Sequence, residues 1–222
     1  MLQPDTLQFL LELKENNNKA WFDVNRPRFD NAKQDLLQLV AGIINKLGKK
    51  DADIAMLAPK DCIFRQNRDV RFSKNKSPYK INMSAYFNRG GKKSNHAGYY
   101  LHLEPGNNSF AGGGLWMPEA PHLAKVRQEI DYCWDEFQKM ISKKSFKDLY
   151  GDLNIKDHTL SREPKGYEKE NPAIKYLKLK SFVALHPIAD IELTSKDLLN
   201  KLMARFEPLQ PLIQFLNRSI EE

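Results

Sequence analysis

The spacing of apolar and polar positions divides the chain into three stretches. In the first, Leu7, Leu10, Leu11 and Lys14 fall at helical spacing with only the stem of Lys14 apolar, which predicts one buried stripe. Asp5 is placed to cap that helix with Gln8 as its capping-box partner, and Asn16, Asn17 and Asn18 end it. Asn18 can then cap a short turn that carries Trp21 and Phe22 into the core, limited by Pro27. Phe29, Ala32, Leu36, Leu39, Val40, Ile43, Ile44 and Leu47 recur at i, i+3 and i+4, so a longer helix follows, closed by Gly48.

From Pro59 the pattern changes. Cys62, Ile63 and Phe64 read as a strand. After Pro78, Tyr79, Ile81, Met83, Ala85 and Phe87 alternate with Lys80, Asn82, Ser84, Tyr86 and Asn88, a period of two. Tyr99, Leu101 and Leu103 alternate in the same way with Tyr100, His102 and Glu104, and Ser109, Phe110 and Ala111 begin a third strand. The turns at Asn88–Gly91 and Pro105–Asn108 are short, which argues for an antiparallel meander. Gly112, Gly113 and Gly114 then fit either a structural bulge or a backbone nest ahead of a helix that starts near Pro121.

The third stretch returns to helical spacing. Leu123, Val126, Ile130, Cys133, Trp134, Phe137, Met140 and Ile141 predict one broad-faced helix, and Phe146, Leu149 and Tyr150 a short one. His158–Leu160 and Phe182–Leu185 read as strands, and Asn171 as the cap of a helix with Pro172 in first position. Thr194 or Ser195 caps a last helix through Leu198, Leu199, Leu202 and Phe206, which Pro208 and Pro211 break before a final turn ending at Leu216. There is no repeat and no linker. The expected fold is a single α+β domain over residues 1–222, a central antiparallel sheet packed by N-terminal, middle and C-terminal helices.

Composition narrows the setting. A chain of 222 residues can bury a substantial core, and no apolar run approaches the ~20 residues that span a bilayer, so no membrane association is expected. No basic region leads into an apolar run at Met1–Asp5, so no signal peptide is read. Cys62 and Cys133 make neither a disulfide framework nor a zinc quartet, so a reduced, cytoplasmic protein is expected. The net charge of +7 permits a polyanionic partner. That charge is local: no acidic residue lies between Val70 and Leu103, where Arg71, Lys74, Lys76, Lys80, Arg89, Lys92 and Lys93 all fall.

The densest cationic stretch, Arg65 to Lys80, overlaps the start of that region and is a mixture that core packing does not demand. Extended, it places Arg65, Asn67, Asp69 and Arg71 on one face; helical, it pairs Arg65 with Asp69. Either way a carboxylate held ionised by a guanidinium suits orienting arginines better than donating protons. Arginine offers a planar fork that matches phosphate or carboxylate. Lys76 and Lys80 add mobile point charges, Tyr79 can donate a hydrogen bond or stack on a base, and Tyr86 and Tyr100 lie beside the same cationic window. The structural alternative is that Arg–Asp clusters also tie loops to sheets, and Lys92 and Lys93 keep an edge strand solvated. Other chemistries lack their signatures: there is no Walker loop, no dinucleotide fingerprint and no nucleophile elbow. His96, His102, His122, His158 and His186 show no paired metal spacing. No cofactor is assigned.

Arg65-x-x-Arg68-Asp69-x-Arg71-Phe72 followed by Asn75-Lys76-x-x-Tyr79 resembles the signature of the bacterial family catalogued as domain of unknown function 2461. Asn17, Asn18, Trp21 and Phe22 resemble its N-terminal motif, Tyr99-Tyr100-Leu101 and Gly113-Gly114-Leu115 its middle, and Pro164-Lys165-Gly166-Tyr167 its C-terminal motif. Where the resemblance implies Asp-His-Pro after that last motif, this chain has Glu170-Asn171-Pro172. The family carries no assigned activity.

Three readings follow. The first is binding of a phosphate-bearing ligand, a nucleotide or nucleic acid, through Arg65, Arg68, Arg71, Lys76 and Tyr79, with Gly113 and Gly114 as a further ligand contact. The second is an enzyme on a small anionic substrate, with Asp69 orienting the arginines and Lys76 or Tyr79 giving the proton. The third is a protein–protein module in which the motif is an internal strut and Trp116 and Met117 mark the contact surface. The oligomeric state is not legible in the sequence.

Overall fold

A computed structural model describes residues 1–155 and 158–221. The fold is α+β: an open four-stranded antiparallel meander in the order β1 (Met83–Asn88), β2 (Gly98–Leu103), β3 (Ser109–Leu115) and β4 (Phe182–Ile188), packed with helices. The chain gathers into two compact units, one of Met1–Lys92, Tyr100–Ala111 and Pro187–Ala204, the other of Lys93–Tyr99, Gly112–His186 and Arg205–Glu222.

The first unit opens with α1 (Pro4–Glu15), α2 (Lys19–Val24) and α3 (Arg26–Leu47). The buried side of α1 is Thr6, Phe9, Leu10 and Leu13, and Leu11 is exposed, so the stripe is rotated from the one expected. Asp5 lies inside the helix and does not cap it. Gln3 is the cap residue and makes no side-chain cap bond; the carboxylate of Asp35 on α3 instead braces the helix start, accepting from the Gln3 N–H at 2.8 Å and the Thr6 hydroxyl at 2.6 Å. A buried carboxylate reaching across from another helix leaves no local sequence mark. Asn18 does cap α2, accepting from the Trp21 N–H at 3.0 Å; Phe22 is buried and Trp21 half-buried against Phe9. The eight apolar positions expected of α3 include seven that are buried, with Phe29 half-exposed. Gly48 follows it with right-handed backbone, so its role is space: a Cβ there would lie 2.8 Å from the Ala55 Cα.

Two short helices, α4 (Ala52–Ala55) and α5 (Pro59–Cys62), lead to the sheet. Cys62 therefore ends a helix where a strand was expected. Extended pairing starts one residue later, with Ile63 bridged antiparallel to Ala85.

In the second unit, α6 (Ala120–Tyr132) and α7 (Trp134–Ser142) replace the single helix expected, interrupted at Cys133. The apolar spacing runs through the interruption unchanged, so periodicity cannot reveal it. After it, Phe137 packs between Phe215 and Tyr176 at 5.5 and 5.2 Å. The helix α8 (Lys144–Tyr150) is as expected. Thr159 makes only an isolated bridge to Leu179. Asn171 forms a turn, accepting from the Ala173 N–H at 2.8 Å and donating to Asp131 at 2.6 Å, and α9 (Ile174–Leu177) begins after Pro172. Beyond β4 come α10 (Asp190–Leu193) and α11 (Leu198–Phe206), then a 3₁₀ turn (Glu207–Leu209) and α12 (Gln210–Glu221). Pro211 sits in the first turn of α12, where a missing N–H costs nothing, so the chain continues helical past the predicted end at Leu216.

Candidate functional site

The cationic stretch is a loop folded back on the start of the sheet, within the first unit. Asn67 and Tyr79 form an antiparallel bridge, closed by Arg68 N–H to Pro78 O at 2.9 Å and Lys80 N–H to Gln66 O at 2.8 Å. Phe64 N–H donates to Ser84 O at 3.0 Å. The extended alternative is thus the one realised, and Arg65 does not pair with Asp69 across a helical turn. Gln66 points inward and is buried, its amide donating to the carbonyls of Lys80 and Asn82.

The predicted site residues separate by direction. Arg68 is half-buried and spends its guanidinium on the loop, donating to Ser77 O at 3.0 Å and to the Ser73 hydroxyl at 3.4 Å. Lys76 donates to Val70 O at 3.0 Å. Tyr79 is buried, its ring stacked 3.9 Å from Phe22, and its N–H and C=O are both taken by the Asn17 amide at 3.0 and 2.9 Å. These three side chains hold the loop. Asp69 accepts a bidentate pair from Arg71, 3.0 Å from Nε and 2.7 Å from Nη2, and that guanidinium holds the carboxyl below its usual range. Beside this pair Phe72 is almost wholly exposed, with the Arg71 guanidinium 5.8 Å from its ring centre.

Arg65 is different. Among the described residues its guanidinium has neither a hydrogen bond nor an ion pair. Lys80 lies near it: burial first, and the Arg65 charge second, push the ammonium below its ordinary value of 10.5. The Lys80 ammonium rests 5.3 Å from the centre of the Phe64 ring, and Phe64 meets Tyr100 edge-on at 6.4 Å. The sequence offers Lys80 as a mobile charge alongside Lys76 and sets Tyr100 beside the cationic window, but it marks no role for Phe64. For Lys80 and Tyr100 the further signal was their place in the period-two pattern opposite the core positions.

Gly113 and Gly114 lie in the second unit, in β3. A Cβ at Gly113 would meet Gly98 O at 2.6 Å and one at Gly114 would meet Phe182 O at 2.0 Å, so close strand packing accounts for their size. Gly112 is as confined, 2.2 Å from Ala184 O. Trp116 and Met117 are exposed, Trp116 edge-on to the His158 ring at 4.6 Å. Among the described residues no three His, Cys, Asp or Glu side chains gather where a metal would sit, and no helix is long and apolar enough to cross a membrane.

Fold and site together define an α+β protein with a braced cationic loop beside a half-buried aromatic sheet face. The chain matches the model of the family described as conserved hypothetical protein (DUF2461) over residues 5–215, and it belongs to that family. No curated protein and no solved structure matched it.

Proposed function

We propose that the chain binds a phosphate-bearing ligand, a nucleotide or nucleic acid, on the outward side of the cationic loop, with Arg65 and Lys80 as the primary contacts. One observation carries this reading: two neighbouring cations, neither in a hydrogen-bonded ion pair with a carboxylate among the described residues, one of them desolvated against an aromatic ring, with Asp69 acting on Arg65 only through its charge. Like charges so placed repel, and an anion between them removes the penalty. The Arg65 fork suits bidentate contact with phosphate oxygens, and Lys80 adds a point charge. Phe72, exposed on the same loop, offers a face on which a base can stack. Arg71 is tied to Asp69 and contributes less; Arg68 and Lys76 contribute by holding the loop.

The test uses adenosine diphosphate and a ten-nucleotide single strand of DNA, followed by calorimetry across a salt series. Arg65→Ala and Lys80→Ala should each weaken both probes, and Arg65→Ala should flatten the salt dependence of the DNA by roughly 0.7 log unit per log unit of salt, the value of one phosphate contact. Binding that is unchanged by both substitutions, or absent in the unmodified protein, refutes the reading.

A further inference from the structure

Strand β2 alternates. Tyr99, Leu101 and Leu103 are buried, while Tyr100 and His102, with Glu104 beyond the strand end, share the other face and remain half-buried. Three hydrogen-bonding groups follow one another along that face. The Tyr100 hydroxyl is 3.2 Å from His102 Nδ1, and His102 Nε2 is 3.1 Å from Glu104 Oε2. For a neutral imidazole the order sets the tautomer. Glu104 as a carboxylate can only accept, so Nε2 carries the hydrogen, Nδ1 presents its lone pair, and the Tyr100 phenol donates to it.

Each member is held from another side. The His102 ring stacks on Phe110 at 4.6 Å and 9°. The Ser109 hydroxyl pins the Glu104 backbone at both ends, accepting from its N–H at 2.9 Å and donating to its C=O at 3.0 Å. Burial pushes the Tyr100 phenol above its ordinary value, an effect that the neighbouring Ser84 side chain offsets only in part, so the base beside it must take the proton as the oxygen reacts. This is the arrangement of an activated nucleophile: a hydroxyl on a base that a carboxylate orients.

We propose that Tyr100 is a nucleophile, with His102 its base and Glu104 the residue that positions His102, and that it acts on phosphoesters. The choice of substrate rests on the anion-binding reading above. In the first half-reaction the Tyr100 oxygen bonds to phosphorus as the bond to the leaving oxygen breaks. The phenol proton passes to His102 Nδ1 and on to the leaving oxygen, whose electron pair takes it. In the second, water or an acceptor hydroxyl bonds to phosphorus and gives its proton to Nδ1. That proton returns to the Tyr100 oxygen as the phosphorus–tyrosine bond breaks.

Sulfonyl fluorides test this on the full chain, because a phenol oxygen attacks sulfur, fluoride leaves, and the proton goes to the base. With neutral benzenesulfonyl fluoride, mass mapping should find Tyr100 modified at least about tenfold faster than Tyr132, a freely exposed phenol in the same molecule. His102→Gln should remove that advantage. Glu104→Gln, which keeps shape without charge, should lower the limiting rate at Tyr100 and leave the half-saturating reagent concentration unchanged, a split that a purely structural role would not give. Tyr100 reacting no faster than Tyr132, or as fast in His102→Gln, overturns the nucleophile. The carboxylated reagent 4-(fluorosulfonyl)benzoate separates the two proposals: it should outpace the neutral one, and lose that lead in Arg65→Ala. Equal rates for the two reagents would overturn the anionic substrate while the nucleophile stood.

Discussion

Replacing Asn17 by alanine should loosen the whole cationic loop. In the antiparallel pair of Asn67 with Tyr79, the ladder bonds run through Arg68, Pro78, Gln66 and Lys80. A residue at such a position turns its own N–H and C=O to the opposite side. There the Asn17 amide takes both groups of Tyr79, acting as the partner that the edge would otherwise lack. A net hydrogen bond is worth about 1 kcal/mol, so the two together contribute about 2 kcal/mol. That is roughly a 30-fold change in the opening equilibrium. Native-state hydrogen exchange at the Arg68 and Lys80 amides is the assay, because their own acceptors are untouched by the substitution. If exchange at both amides changes by no more than the equivalent of about 0.5 kcal/mol, Asn17 does not brace the loop.

Three other outcomes are expected. Gly112→Ala should cost about 3 kcal/mol or more in urea unfolding, since its Cβ would lie 2.2 Å from Ala184 O; Gly151→Ala, which meets nothing within 4 Å but has φ +70, should cost only about 1 kcal/mol. Burial pushes the Cys62 thiol up to about 11, so at pH 8 only about a thousandth is thiolate; iodoacetamide should spare it in the folded protein and modify it in urea. For Lys80 the folded value lies below the ordinary 10.5, so between the two the unfolded chain binds more protons and stability rises with pH. A bound phosphate favours the charged form, so affinity for inorganic phosphate should fall as pH climbs past that lowered value. Lys80→Arg, which stays charged, should move the fall to higher pH.

The meander and most of the helices were legible because each writes a period into the chain. Ala32, Leu36, Val40 and Ile43 mark one face of α3, and Leu101 and Leu103 one face of β2. What escaped was set by contacts between distant residues. Asp35 braces the start of α1 from another helix, the interruption at Cys133 leaves apolar spacing intact, and Pro211 begins a helix that it was expected to end. The glycine run of β3 was legible as an anomaly, but its neighbours Gly98, Phe182 and Ala184 are visible only in the folded sheet.

The candidate site was half legible, and the missing half alters how it must be tested. Composition located the loop, yet composition cannot say which cation faces inward. Arg68 is bound to Ser77 and Ser73, Lys76 to Val70, and Tyr79 to Phe22 and Asn17, so the central motif and the N-terminal motif meet in one joint. Much of what makes the motif recognisable is therefore scaffold. Arg68→Ala would free the Ser77 carbonyl and disturb the loop whether or not a ligand binds there, so loss of binding in that variant distinguishes nothing. Arg65 has no such intramolecular task among the described residues. Its truncation leaves the loop's own hydrogen bonds in place, and a loss of phosphate binding with unchanged exchange at the Arg68 and Lys80 amides would assign the contact to Arg65 itself.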